Sequence, residues 1–141
     1  MRRLSTLAAL AATTVGVAAC GGGGGSGATS KDAAGVRATY KEFITDLRDN
    51  RFAQACAVLT PNALKQMKAA SHLSNFDCPK IMSQVRKFIT DAQIKDALNK
   101  TDKLKVTVTG NRATVAPTQA GGQPAQLLYT DGRWKLDQPA G

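Results

Sequence analysis

The chain has 141 residues, of which 43% are hydrophobic and 21% charged, so it can build one packed domain and is not a disordered polyelectrolyte. Nineteen Lys and Arg against ten Asp and Glu give a formal charge of +9. With three Cys and one His, even a single four-ligand Cys/His zinc site would have to use every one of them, so none is expected. No Walker loop, GxGxxG or HExxH motif is present, and no metal or other cofactor is expected.

Residues 1–19 have the pattern of an export leader. Met1-Arg2-Arg3 is a short positive start, and Leu4 to Ala19 is apolar and small. That run is shorter than the ~20 residues of a spanning helix, which favours a signal peptide over a membrane span. It ends in Val17-Ala18-Ala19-Cys20, which resembles the lipobox of bacterial lipoproteins. The resemblance implies diacylglycerol transfer to the Cys20 thiol, cleavage between Ala19 and Cys20, and palmitate-type acylation. The alternative is an ordinary secretory leader in which Cys20 is incidental. One acyl chain holds a protein only marginally, whereas a diacylglycerol supplies two.

Residues 20–31 are expected to form the lipidated start and a tether. Gly21 to Gly25 are consecutive glycines, followed by Ser26, Gly27, Ala28, Thr29 and Ser30. Ten such residues have a root-mean-square span of roughly 16–19 Å. No strand precedes this stretch, so it is not a phosphate-binding loop.

The domain is expected over 32–138, with helices first. Val36, Tyr40, Phe43, Ile44 and Leu47 fall on one face of an amphipathic helix. Thr29 or Ser30 can cap it, and Asp32 suits its first turn. A second helix starts near Arg51, with Phe52, Ala55, Cys56 and Leu59 on one side. Thr60-Pro61 reads as an N-cap followed by a first-turn proline, opening a third helix through Leu64 and Met67. Ser71 to Asn75 is a loop. Asp77-Cys78-Pro79 opens a fourth helix, with Ile81, Val85, Phe88 and Ile89 at inward spacing. Asp91 to Leu98 either continues it or forms a separate turn of helix.

With Cys20 assigned to lipid, Cys56 and Cys78 remain as an even pair in an exported protein. A bridge between them would stabilise by roughly 3 kcal/mol in the chain-entropy model. The alternative is two buried free thiols. A Cys–His nucleophile would have to use His72, which lies in the polar loop.

Two hairpins follow. Leu104, Val106 and Val108 alternate with polar residues, and Gly110-Asn111 suits a type II′ turn. Counting outward pairs Thr109 with Arg112, Val108 with Ala113, Thr107 with Thr114 and Val106 with Val115. Asp131-Gly132 signals a type I′ turn that pairs Thr130 with Arg133, Tyr129 with Trp134, Leu128 with Lys135 and Leu127 with Leu136. The fold class is therefore α+β: N-terminal helices packed on an antiparallel sheet.

Helices followed by a sheet ending in Tyr129-Thr130-Asp131-Gly132-Arg133-Trp134-Lys135-Leu136 resemble the nuclear transport factor 2-like domain. The chain is particularly similar to small exported lipoproteins of high-GC Gram-positive bacteria, where a segment like Phe52-Ala53-Gln54-Ala55-Cys56-Ala57-Val58-Leu59-Thr60-Pro61 precedes a second Cys, here Cys78. The resemblance implies a cone, a curved sheet wrapped on the first helix, with a pocket at its wide end. Tyr40, Tyr129 and Trp134 are the candidate pocket lining, with core packing as the alternative. Such domains serve as isomerases, dehydratases and binding modules, so fold alone selects none of these.

Enzymes of the family use a carboxylate inside the cone. Asp46 lies beside the apolar stripe at i+6 from Tyr40, Asp77 reads as a helix cap, Asp131 belongs to its turn and Asp137 is near the end. None stands alone in an apolar segment, so no catalytic residue is assigned. Lys95, Lys100, Lys103, Lys105 and Arg112 cluster around the first hairpin. They suit anionic headgroups or wall polymers, at ~1 kcal/mol per charge near a membrane, or simply a solubilising surface. Nucleic acid is not expected, because no aromatic residues interleave with the basic ones. The expected function is a lipid-anchored, non-enzymatic module at the extracytoplasmic face of the cell membrane. It would bind a small apolar ligand or an envelope component; the alternative is an isomerase or dehydratase. The sequence does not specify an oligomeric state.

Overall fold

The computed structural model describes residues 29–71, 74–117 and 121–138. Residues 1–19, where the leader is expected, Cys20, the glycine run and His72 lie outside the described residues. The fold is α+β. Helices α1 (Ala33–Arg48), α2 (Phe52–Ala57), α3 (Pro61–Ser71), α4 (Cys78–Lys87) and α5 (Asp91–Lys100) precede a 3₁₀ turn, Thr101–Lys103. Strands β1 (Val106–Thr109), β2 (Arg112–Val115), β3 (Ala125–Thr130) and β4 (Arg133–Gln138) then form one antiparallel sheet in chain order.

Both hairpins have the expected registers, including Val106 opposite Val115 and Tyr129 opposite Trp134. The turns explain this. Asp131 (φ 54°) and Gly132 (φ 76°) both take positive φ, as a type I′ turn requires. At the first hairpin only Gly110 does, the sign pattern of type II′. One sheet face is apolar throughout. Ala113, Val115, Ala125, Leu127, Trp134 and Leu136 are each 2% exposed or less. Val36 and Leu47 of α1 close over that face.

The pairing shifts between Gln126 and Leu127, opposite Gln138 and Leu136, which leaves Asp137 as an extra residue. Its carboxylate accepts from the Thr60 hydroxyl at 2.6 Å, and Thr60 in turn accepts from the Ala63 N–H at 3.1 Å. The bulge thus holds the cap that starts α3. The backbone before it binds the edge of β4, with Thr60 N–H donating to Leu136 and Leu136 N–H donating to Val58, both at 2.8 Å.

The helical half differs from expectation at three places. Asp32, not Thr29 or Ser30, caps α1, through a 2.9 Å bond from the Gly35 N–H. Asp77 occupies the cap position of α4 without a side-chain cap bond. On α4 the inward residues are Cys78 and Met82, whereas Val85 is 40% and Phe88 is 85% exposed. Asp91–Lys100 is a separate helix, opened by a reciprocal capping box between Thr90 and Gln93.

Cys56 and Cys78 form a disulfide joining α2 to the start of α4 across 22 positions. The bond ties the helical segment that carries Val58, Leu59 and Ala63 of the core to the start of α4. Replacing both cysteines by serine should lower the unfolding free energy by about 3 kcal/mol. Urea unfolding of the two forms measures this, with a steeper slope expected once the crosslink no longer compacts the unfolded chain.

Candidate functional site

The densest set of unusual interactions lies where the chain enters the domain. Trp134 on β4 is fully buried, so its indole N–H needs a partner. It donates to the Ser30 carbonyl at 3.0 Å, and the Trp134 backbone N–H donates to the Thr29 hydroxyl at 3.0 Å. The Tyr129 hydroxyl donates to the Thr29 carbonyl at 3.1 Å. Thr29 N–H closes the set on the Gly132 carbonyl at 3.2 Å. Tyr129 meets Trp134 edge-on at 5.2 Å between ring centroids, and the Lys31 ammonium sits 5.5 Å above the tyrosine ring.

Two local features make this clasp possible. Ser30 approaches the first turn of α1 so closely that a Cβ on Gly35 would lie 1.8 Å from its carbonyl oxygen. Asp32 accepts from the Gly35 N–H and, at 2.7 Å, from the Ser30 hydroxyl. These donors, the backbone one foremost, hold the Asp32 carboxyl below its ordinary range. Thr29 and Ser30, expected in the tether, are therefore fastened to the sheet. The glycine run gives way to hydroxyl residues just before this point, and Gly35 interrupts an amphipathic helix. Those were the available signals.

The candidate pocket residues are distributed accordingly. Trp134 is core, Tyr129 covers it, and the polar ends of both hold residues 29–30. Tyr40 packs against the same core from α1, and burial pushes its phenol pKa up. Asp46 is 3% exposed, but its Oδ1 accepts from Arg51 at 2.8 Å and its Oδ2 has no protein partner. An i+6 separation turns Asp46 about 120° from Tyr40 around α1, so the two do not share a face. Glu42 pairs with the buried Arg133 at 3.4 Å, and Asp137 holds Thr60. These three carboxylates each engage a protein group. Among the described residues, no three His, Cys, Asp or Glu converge to hold a metal.

The basic cluster divides. Lys100, Lys103 and Lys105 border an open depression of about 370 Å³ beside β1, with Leu104 and Pro117. Lys95 belongs to another, with Arg48 and Arg86. Lys100 also pairs with Asp96 at 2.6 Å.

Gly35→Ala should destabilise the domain by about 1–3 kcal/mol through overpacking against Ser30. An unobstructed helical glycine would instead gain roughly 0.5–1 kcal/mol on the same change, so the sign in urea unfolding decides. The depressed Asp32 pKa predicts a pH signature. Above the ordinary Asp value near 3.9 the cap contributes fully. As pH falls through the folded-state value, the proton bound earlier by the unfolded chain cancels it. The stability gap between wild type and Asp32→Ala should therefore be constant at neutral pH and shrink on acidification below about 4. Among known proteins, no family model, no curated protein and no solved structure matches the chain.

Proposed function

We propose that the chain is an exported lipoprotein, cleaved after Ala19 and lipidated at Cys20, whose domain serves as a non-enzymatic binding module at the outer face of the cell membrane. The observation that carries this reading is the distribution of its three cysteines. Two are joined in a disulfide, as suits an oxidising compartment, and the third ends the apolar leader in Val17-Ala18-Ala19-Cys20. No helix among the described residues is long and apolar enough to cross a membrane, so in this reading the lipid supplies the attachment.

A nuclear transport factor 2-like cone belongs to the same proposal. It is supported by the long α1 packed on an antiparallel sheet that carries a bulge at Asp137. A binding module is favoured over an isomerase or dehydratase by the state of the carboxylates. Asp46, Glu42 and Asp137 hold Arg51, Arg133 and Thr60, whereas a proton shuttle must face its ligand. The ligand of such a module is a small apolar molecule or an envelope component.

Cys20→Ala tests the anchor. After a high-salt wash that strips peripheral proteins, the wild type should stay in the membrane fraction and the variant should be released. Mass analysis of the wild-type N-terminal peptide should find diacylglycerol on Cys20 and no residue before it. A bare thiol, or a chain in the cytosol with its leader intact, overturns the reading.

A further inference from the structure

Helix α4 is anchored by Cys78 and Met82 and leaves the flank beside them uncovered toward its C-terminal end. Ile81, Val85 and Phe88 follow one another at i, i+4 and i+7, and so form a stripe. Val85 and Phe88 are the large hydrophobic residues exposed among those described. Lys80, Gln84 and Lys87 run alongside at the same spacing. The helix carries Lys80, Arg86 and Lys87 and no acidic residue. Arg86 is engaged by Asp91 and by the Ile89 carbonyl, which leaves the two lysines to solvent. Asp77 precedes the helix at its N-terminal end.

We propose that this face of α4 rests on an anionic phospholipid surface, with Phe88 entering the boundary between headgroups and acyl chains and Lys80 and Lys87 meeting lipid phosphates. An apolar stripe edged by lysines is the chemistry of helices that lie in a membrane interface. The occupant rests on the lipoprotein reading, which puts a bilayer within reach. The clasp fixes Thr29 at the start of α1, and the C-terminal end of α1 shares a depression with Arg86 at the far end of α4. The sixteen residues of α1 span about 24 Å. Nine residue steps separate Cys20 from Thr29 and reach about 30 Å at full extension. The domain can therefore lie on its side, with α4 down, without straining its attachment.

The test uses the chain from residue 20 onward with Cys20→Ser, which retains every described contact and carries no lipid. It is mixed with vesicles of phosphatidylcholine alone or with equimolar phosphatidylglycerol. Sedimentation should show binding to the anionic vesicles only. Phe88→Ala leaves the charge unchanged and should weaken that binding about tenfold, the equivalent of losing one buried aromatic side chain. Phe88→Trp should retain binding and shift its emission to shorter wavelength on the vesicles. A Lys80→Ala, Lys87→Ala double variant should also bind the anionic vesicles less tightly, and more so than a Lys103→Ala, Lys105→Ala double variant of the same net charge. Unfolding midpoints of all variants should match that of the parent, since Phe88 is exposed. Binding that is indifferent to Phe88, or no binding to anionic vesicles, overturns the proposal. Concentration-dependent dimers lost on Phe88→Ala, without vesicle binding, would assign the stripe to a second copy and overturn it likewise. Because the protein tested has no acyl chain, these results are independent of whether Cys20 is lipidated.

Discussion

Trp134 brings a hydrogen-bond donor into the apolar core, and the entry of the chain is arranged around that need. A buried indole N–H without a partner would cost on the order of 1–3 kcal/mol. The Ser30 carbonyl fills the role, but only by approaching α1 where any side chain larger than glycine would collide at residue 35. Once Ser30 is placed, Asp32 is positioned to cap the helix, and Thr29 satisfies the end of the last hairpin. Sheet, first helix and entering chain thus share one set of bonds. Weakening any member disturbs all three.

The sheet manages its two edges differently. Beside β4, the backbone around Leu59 supplies a short parallel bridge and two hydrogen bonds, so that edge is covered. Beside β1, the strand is only four residues long and is preceded by Lys103 and Lys105. Short length and lysine both discourage pairing with another chain. The bulge that places Asp137 belongs to the covered edge, where its carboxylate ties the third helix to the sheet.

Both hairpins were legible in the sequence because two independent signals agreed on each: the turn residues and the alternation of side chains. The cysteine pair was legible for a similar reason, since the even number left after Cys20 and the leader-like pattern of residues 1–19 pointed the same way. Which flank of a helix turns inward had one signal only, the apolar spacing. Apolar spacing identified α4 but not which flank turns inward; Val85 and Phe88 fit an inward stripe as well as Met82 does, and only packing against α2 separates them. The box that opens α5 was present as Thr90 and Gln93, but it was obscured by the apolar run that precedes it. The aromatic pair Tyr129 and Trp134 was visible as a cluster. What satisfies its polar atoms was not, because the partners lie some hundred positions earlier and use backbone carbonyls, which carry no sequence signature.

The sulfur crosslink has a topological consequence. Together with the backbone it closes a covalent ring that contains the whole of α3 and the stretch leading into α4. A protease that cuts anywhere inside that ring leaves two pieces still joined, with the N-terminal piece keeping α1 and the C-terminal piece keeping the sheet. A nick there would pass unnoticed in the mass of the unreduced protein, apart from one added water, and would become visible only when a reductant is present.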